Sequence, residues 1–234
     1  MKTFAATSAL LALAHQALAN LDVVTLQAST DAWIQEATAT LVVGDVPNPI
    51  TGDVALWSAI MMQNEASFLQ GVTENAPEGS GYCTNLGSNW CNFAYALIGS
   101  NANNGTPVKA AAGSRIKTHC KSNLVFDSYK LSSDTQMWDQ NLYVNDELVS
   151  SVSTSKGERG ELFYISIECA AGTCATAPAH SWENVSIVLS QADESFGHAG
   201  GWEQGATGGE MTSSDSGKTW NFTTLEIPDT DVQH

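Results

Sequence analysis

Along most of the chain, apolar and polar residues alternate with period two in short runs, and helical periodicity is nearly absent. The clearest run is 162–169, where Phe163, Ile165 and Ile167 alternate with Tyr164, Ser166 and Glu168. Successive side chains of a strand point to opposite faces, so the first set turns to a core and the second to the outside. The same pattern predicts strands near 23–28, 54–62, 67–73, 90–98, 114–119, 124–130, 141–145, 148–154, 161–168, 182–190 and 218–227. Turn-forming clusters such as 77–81 and 99–105 separate them. So many short strands at this spacing predict an all-β fold, an antiparallel two-sheet sandwich of jelly-roll type.

The first nineteen residues break the pattern. Lys2 precedes an Ala- and Leu-rich stretch that ends in the small-x-small triplet Ala17-Leu18-Ala19, the layout of a secretory signal peptide cleaved after Ala19. No later segment approaches the eighteen or so apolar residues that a membrane span requires. The expectation is a secreted, extracellular chain with one β-sandwich domain over 20–234. Its 25 acidic against 9 basic residues give a net charge of −16, which makes nucleic acid and anionic membranes poor partners. An acidic medium would relieve that self-repulsion.

Five cysteines in an exported chain point to disulfides. The simplest pairing joins Cys83 to Cys91 and Cys169 to Cys174, leaving Cys120 over. No His stands at ligand spacing from either couple, so neither a metal nor another cofactor is expected. Asn104, Asn184 and Asn221 head glycosylation sequons. Ser213 to Trp220 fits the Asp-box pattern S-x-D-x-G-x-T-W. A single copy marks one hairpin, with Asp215 accepting from turn N–H groups, Gly217 supplying a positive φ and Trp220 plugging the core. The Gly-rich stretch 197–209 around Trp202 reads as an open surface loop.

The candidate chemistry lies on the polar faces. If strands 161–168 and 182–190 lie side by side, Tyr164, Ser166 and Glu168 share a surface with Trp182, Asn184 and Ser186, and curvature turns it into a groove for an extended chain. Two uses stay open. Tyr164, Trp182 and Trp202 are stacking platforms for a polysaccharide in a non-catalytic, lectin-like module, or Glu168 is the acid–base group of a hydrolase. A serine triad built from His119, His180 or His198 lacks the G-x-S-x-G turn, and a glycosidase pair drawn from Glu161, Glu168 and Glu183 lacks an E-x-D-x-E strand.

The run Leu56-Trp57-Ser58-Ala59-Ile60, followed by Phe68-Leu69-Gln70-Gly71-Val72, resembles the "W-x-G-I … I-L-Q-x-G" stretch of the eqolisins, the glutamic endopeptidases secreted by fungi. The run 163–168 falls where that family has its glutamate strand. The resemblance implies a concanavalin A-like jelly roll, a polypeptide substrate and a catalytic dyad carried onto Gln70 and Glu168; Trp57, Tyr164, Ser166 and Trp182 are the residues expected to contact the substrate. In that dyad ionised Glu168 takes a proton from the attacking water and the Gln70 amide donates to the oxyanion, the two lying within one water of each other, with activity at low pH. The sequence departs from the family in having Ala59 for Gly, no Trp or Pro in 92–99, and Glu161 as a second carboxylate on the glutamate strand.

Overall fold

The computed structural model of the chain describes residues 20–122, 136–198 and 202–232; the expected leader and the expected strand at 124–130 lie outside them. The strands are β1 (Asn20–Gln27), β2 (Ile34–Val42), β3 (Gly52–Met62), β4 (Ser67–Asn75), β5 (Asn89–Ile98), β6 (Asn101–Asn104), β7 (Val108–Ala111) and β8 (Arg115–Ser122). They continue with β9 (Trp138–Val144), β10 (Glu147–Thr154), β11 (Gly160–Gly172), β12 (Thr176–Ala177), β13 (His180–Leu189), β14 (Thr207–Gly208), β15 (Thr219–Ile227) and β16 (Thr230–Asp231). Two single-turn 3₁₀ segments are the only helical pieces among the described residues.

The ladders are antiparallel and form two layers. The front sheet runs β1-β11-β3-β4-β5, with β6 and β7 both on the far edge of β5. The back sheet runs β10-β9-β8-β2-β13-β15-β14. One bridge, Gly160 to Ile34, links the layers, and β12 with β16 makes a separate ribbon. This is the all-β, jelly-roll-like sandwich that the alternation predicts.

Between the layers sit the inward residues of both sheets: Leu56 and Ile60 of β3, Ile165 and Ile167 of β11, and Ile187 and Leu189 of β13, none more than 1% exposed. Each such side chain contributes roughly 1.5–3 kcal/mol by leaving water. Where β4 crosses β8 the sheets approach closely, because Gly71 has no side chain; a Cβ there would lie 1.9 Å from Thr118 Oγ1. Near the β5 edge the layers also exchange polar contacts. Gln140 Nε2 donates to the Tyr95 and Gln70 carbonyls at 3.0 and 3.3 Å, and Ser150 Oγ accepts from the Ala94 N–H at 3.1 Å.

Two expectations need correction here. Strand β2, central in the back sheet, was not among those expected: its inward residues are Ala37, Ala39 and Leu41, and alanine carries little strand signal. More consequential is β13, which pairs with β2 and β15 and belongs to the other sheet from β11, so the two polar stripes are not side by side. Its parity also changes midway. Asn184 adopts φ 51° in a bulge where the register with β2 shifts, and the extra residue turns Trp182 inward on the same side as Val185 and Ile187. Trp182 is 1% exposed in the main core and Asn184 stands outside.

The disulfides are those expected, Cys83–Cys91 and Cys169–Cys174, with Cys120 free and buried. The Asp-box hairpin is also as expected: Asp215 Oδ1 accepts from the Thr219 N–H at 2.8 Å, Gly217 has φ 89°, and Trp220 is 7% exposed.

Candidate active site

The outer face of the front sheet is not simply wet. A second apolar cluster covers it, built on Trp57 from β3, Val72 from β4 and Phe93 from β5. Trp57, Phe68 and Tyr164 meet edge to face with ring centroids 5.4–6.4 Å apart, a favourable aromatic geometry. On the opposite flank the Cys83–Cys91 bridge ties the 76–88 loop to β5 and holds Tyr82 4.4 Å from the Phe93 ring. Because both faces of β3 are covered, nearly every residue from Gly52 to Met62 is buried.

Between these aromatic flanks opens a cavity of about 370 Å³. Its polar wall is Asn20, Asp53, Gln70, Glu74 and Glu168, and no Lys, Arg or His lines it. The alternation turns Glu168 outward and the resemblance puts Gln70 on the same face; both line this cavity. Glu168 is held there by Trp57, whose Nε1 donates to Oε2 at 2.9 Å.

The register sets the strand positions of the two residues apart. Glu168 lies in a cross-strand row with Ala55 and Glu74, whereas Gln70 lies in a row with Ala59 and Tyr164. Those rows are four residues apart, about 13 Å along the strands. Trp57 occupies the row between them. The group standing across from Glu168 is therefore Glu74, two strands away over the methyl of Ala55.

Sequence reasoning missed Glu74 and Asp53. Glu74 is 3% exposed and its Oε1 accepts from the Tyr82 N–H at 2.6 Å. Asp53 is 7% exposed, and its Oδ1 has no hydrogen-bond partner. Burial raises the Glu74 carboxyl to about 7, helped by the nearby Asp53 charge and opposed by the Tyr82 N–H. Burial alone raises Asp53 to about 6. Glu168 is also raised, by burial first and by Asp53, while the Trp57 indole pulls it back down. The signal available in the sequence was parity: Gln70, Val72 and Glu74 share one face of β4, as Asp53, Ala55 and Trp57 do of β3.

The other candidates lie elsewhere. Ser166 is 1% exposed and donates to Asp22 Oδ1 at 2.5 Å, on β1, which pairs beside β11 at this point. Tyr164 belongs to the aromatic trio beside the cavity and is not part of its wall. Trp202 donates its indole N–H to the Gly208 carbonyl and packs against Phe222. Glu161 sits at a bulge near Gln27, and Glu183 is paired with Arg115 at 2.6 Å in the back sheet. His119 contacts Glu36, His180 is buried, and His198 lies against Trp220. A larger open depression, about 670 Å³, lies at the 45–50 loop, with Asp45 its one titratable group. No group of His, Cys, Asp and Glu among the described residues is arranged to hold a metal ion.

No family model and no curated protein matches the sequence. Among solved structures the chain is similar to scytalido-glutamic peptidase with a transition state analog inhibitor, at TM-score 0.57 and 12% identity, over 91% of this chain and 98% of that one. It also aligns with SCP-B, a member of the eqolisin family of peptidases in a complex with the tripeptide Ala-Ile-His, at TM-score 0.47 and 13% identity, over 91% of this chain and 98% of that one. The first likeness shows a shared fold across nearly the whole length, a distant resemblance to the eqolisins.

Proposed function

We propose that this chain is an acid-active peptidase that lays an extended polypeptide along the outer cavity of the front sheet, with Glu168 activating the attacking water. The observation that carries the reading is the placement of Glu168: a half-buried carboxylate, oriented by an indole N–H, in the wall of an aromatic-lined cavity on a fold shared with a glutamic peptidase. An ionised Glu168 accepts a proton from water as the water oxygen attacks the scissile carbonyl, then returns it to the leaving nitrogen. Because burial raises its pKa, it serves both as base and as acid in a mildly acidic medium. Gln70 has a different task from the one the resemblance implies. Four residues along the strands, its side-chain amide holds a more distant carbonyl of the same extended substrate.

Denatured serum albumin incubated with the purified chain from pH 2.5 to 8 tests the reading. The expected result is acid-limited cleavage that Glu168→Gln abolishes and that Gln70→Ala weakens mainly through KM. Full activity in Glu168→Gln, or none in the parent chain at any pH, defeats it.

One observation favours a second reading. Tyr82 is 45% exposed at the rim with its ring tilted against Phe93, a platform suited to a sugar ring. Quenching of aromatic fluorescence by oligosaccharides, lost in Tyr82→Ala and unaccompanied by any peptidase activity, would favour that reading. Asn184 lies in the other sheet, so a glycan on it leaves the cavity open.

A further inference from the structure

We propose that Glu74 is the second acid–base carboxylate of the site, working with Glu168 on the two sides of one scissile carbonyl; this rests on the peptidase reading and names the catalytic partner within it. Geometry carries the argument. Glu74 and Glu168 flank Ala55 in one cross-strand row, about 10 Å apart at the backbone. Both side chains line the same cavity. Between them stands only a methyl group, so the gap is open to a peptide bond and a water. Nearby, the Asp53 Oδ1 acceptor is buried in the same wall with nothing to satisfy it. A buried acceptor without a partner is costly, and a donor brought by substrate would remove that cost.

The positioning of Glu74 is built in. Gly81, at φ 75°, passes so close that a Cβ there would lie 2.7 Å from Glu74 Oε1. The next residue then places its N–H on that oxygen. The disulfide that anchors this loop thereby also orients the carboxyl.

The two carboxyls sit in unlike surroundings, which divides their roles. Facing Glu74 are Asp53 from β3, Glu168 from β11, the Tyr82 loop and Tyr95 from β5, with no cation in the wall. Glu168 has the Trp57 indole, and its strand partner is Asn20. Glu74 therefore holds its proton while Glu168 loses its own.

The step balances as follows. Glu168 takes a proton from water, the water oxygen bonds to the carbonyl carbon, and the carbonyl π pair moves to oxygen, which takes the Glu74 proton. The C–N bond then breaks, its electron pair accepts the proton held by Glu168, and a diol hydroxyl returns a proton to Glu74. One water is consumed, and both carboxyls end as they began.

The test is the pH profile of kcat on denatured serum albumin for the parent chain and for Glu74→Gln, Glu74→Asp, Glu168→Gln and Gln70→Ala. Glu74→Gln is expected to lower kcat about 10²–10⁴-fold, with KM little changed and the alkaline limb of the profile gone. Glu74→Asp should keep that limb and Gln70→Ala should keep both. Activity of Glu74→Gln within threefold of the parent, with its alkaline limb intact while Glu168→Gln is dead, overturns the pairing and leaves the peptidase reading standing. If the parent chain is inactive, the peptidase reading fails by itself. NMR titration of 13C-labelled glutamates then decides the pairing: Glu168→Gln should lower the Glu74 midpoint, and an unmoved midpoint sinks it.

Discussion

Trp57 shows how one residue serves packing and chemistry together. Its ring anchors the outer apolar cluster, and its indole N–H is the hydrogen bond that lowers the Glu168 pKa against burial. Trp57→Phe keeps most of the ring area and deletes that donor, so the Glu168 carboxyl should titrate higher and the acid limb of the activity profile should move to higher pH. A profile that stays in place would mean that the indole only packs. Gly71 is a second such point. Gly71→Ala forces a methyl into Thr118 and should cost about 1–3 kcal/mol, read as a lower denaturant midpoint at unchanged m-value.

Among the elements, parity was legible wherever a strand is regular. On β11 the alternation of Phe163, Ile165 and Ile167 with Tyr164 and Glu168 holds along the ladder with β3. On β13 it fails at Asn184, where one left-handed residue adds a bulge and sends Trp182 into the core. Period-two reading has no means of seeing an inserted residue, although an Asn tolerates the conformation better than most. Strand β2 failed for the opposite reason, since its alternating alanines are apolar enough to bury and too small to announce a strand. Ser166 is a third case: its outward direction was right, and its hydroxyl is taken up by Asp22 of β1, a strand more than 140 residues earlier in the chain. Deleting Asn184 to straighten β13 should turn Trp182 out and expose its ring. A red-shifted, quencher-accessible tryptophan emission, compared with the parent, checks this.

Over the whole molecule, buried titratable groups set an acid preference in stability. Asp53 and Glu74, held at about 6 and about 7 against ordinary values of 3.8 and 4.5, bind protons more tightly when folded. Their contribution is complete below about pH 4 and is lost as pH rises toward 7. His180, buried and depressed to about 4, acts in reverse: its contribution is complete above 6.5 and is lost as pH falls toward 4. Two strongly raised carboxyls, with Glu168 raised as well, outweigh one histidine, and a chain of net charge −16 repels itself less in acid. The thermal midpoint should therefore be higher at pH 5 than at pH 7.5, and an Asp53→Asn, Glu74→Gln double variant should flatten the difference. A midpoint that rises with pH instead would contradict these buried charges.

By itself the sequence determined the all-β sandwich, the two disulfides, the Asp-box hairpin and the outward direction of Glu168, because each depends on spacing within short segments. Tertiary structure alone decided which strands adjoin. It placed β13 in the other sheet, brought Asp22 of β1 onto Ser166, and set Glu74 across from Glu168. Strand order and register are fixed by contacts between residues far apart in the chain, and a one-strand or one-residue change in either moves every neighbour of a carboxylate while leaving the local pattern untouched.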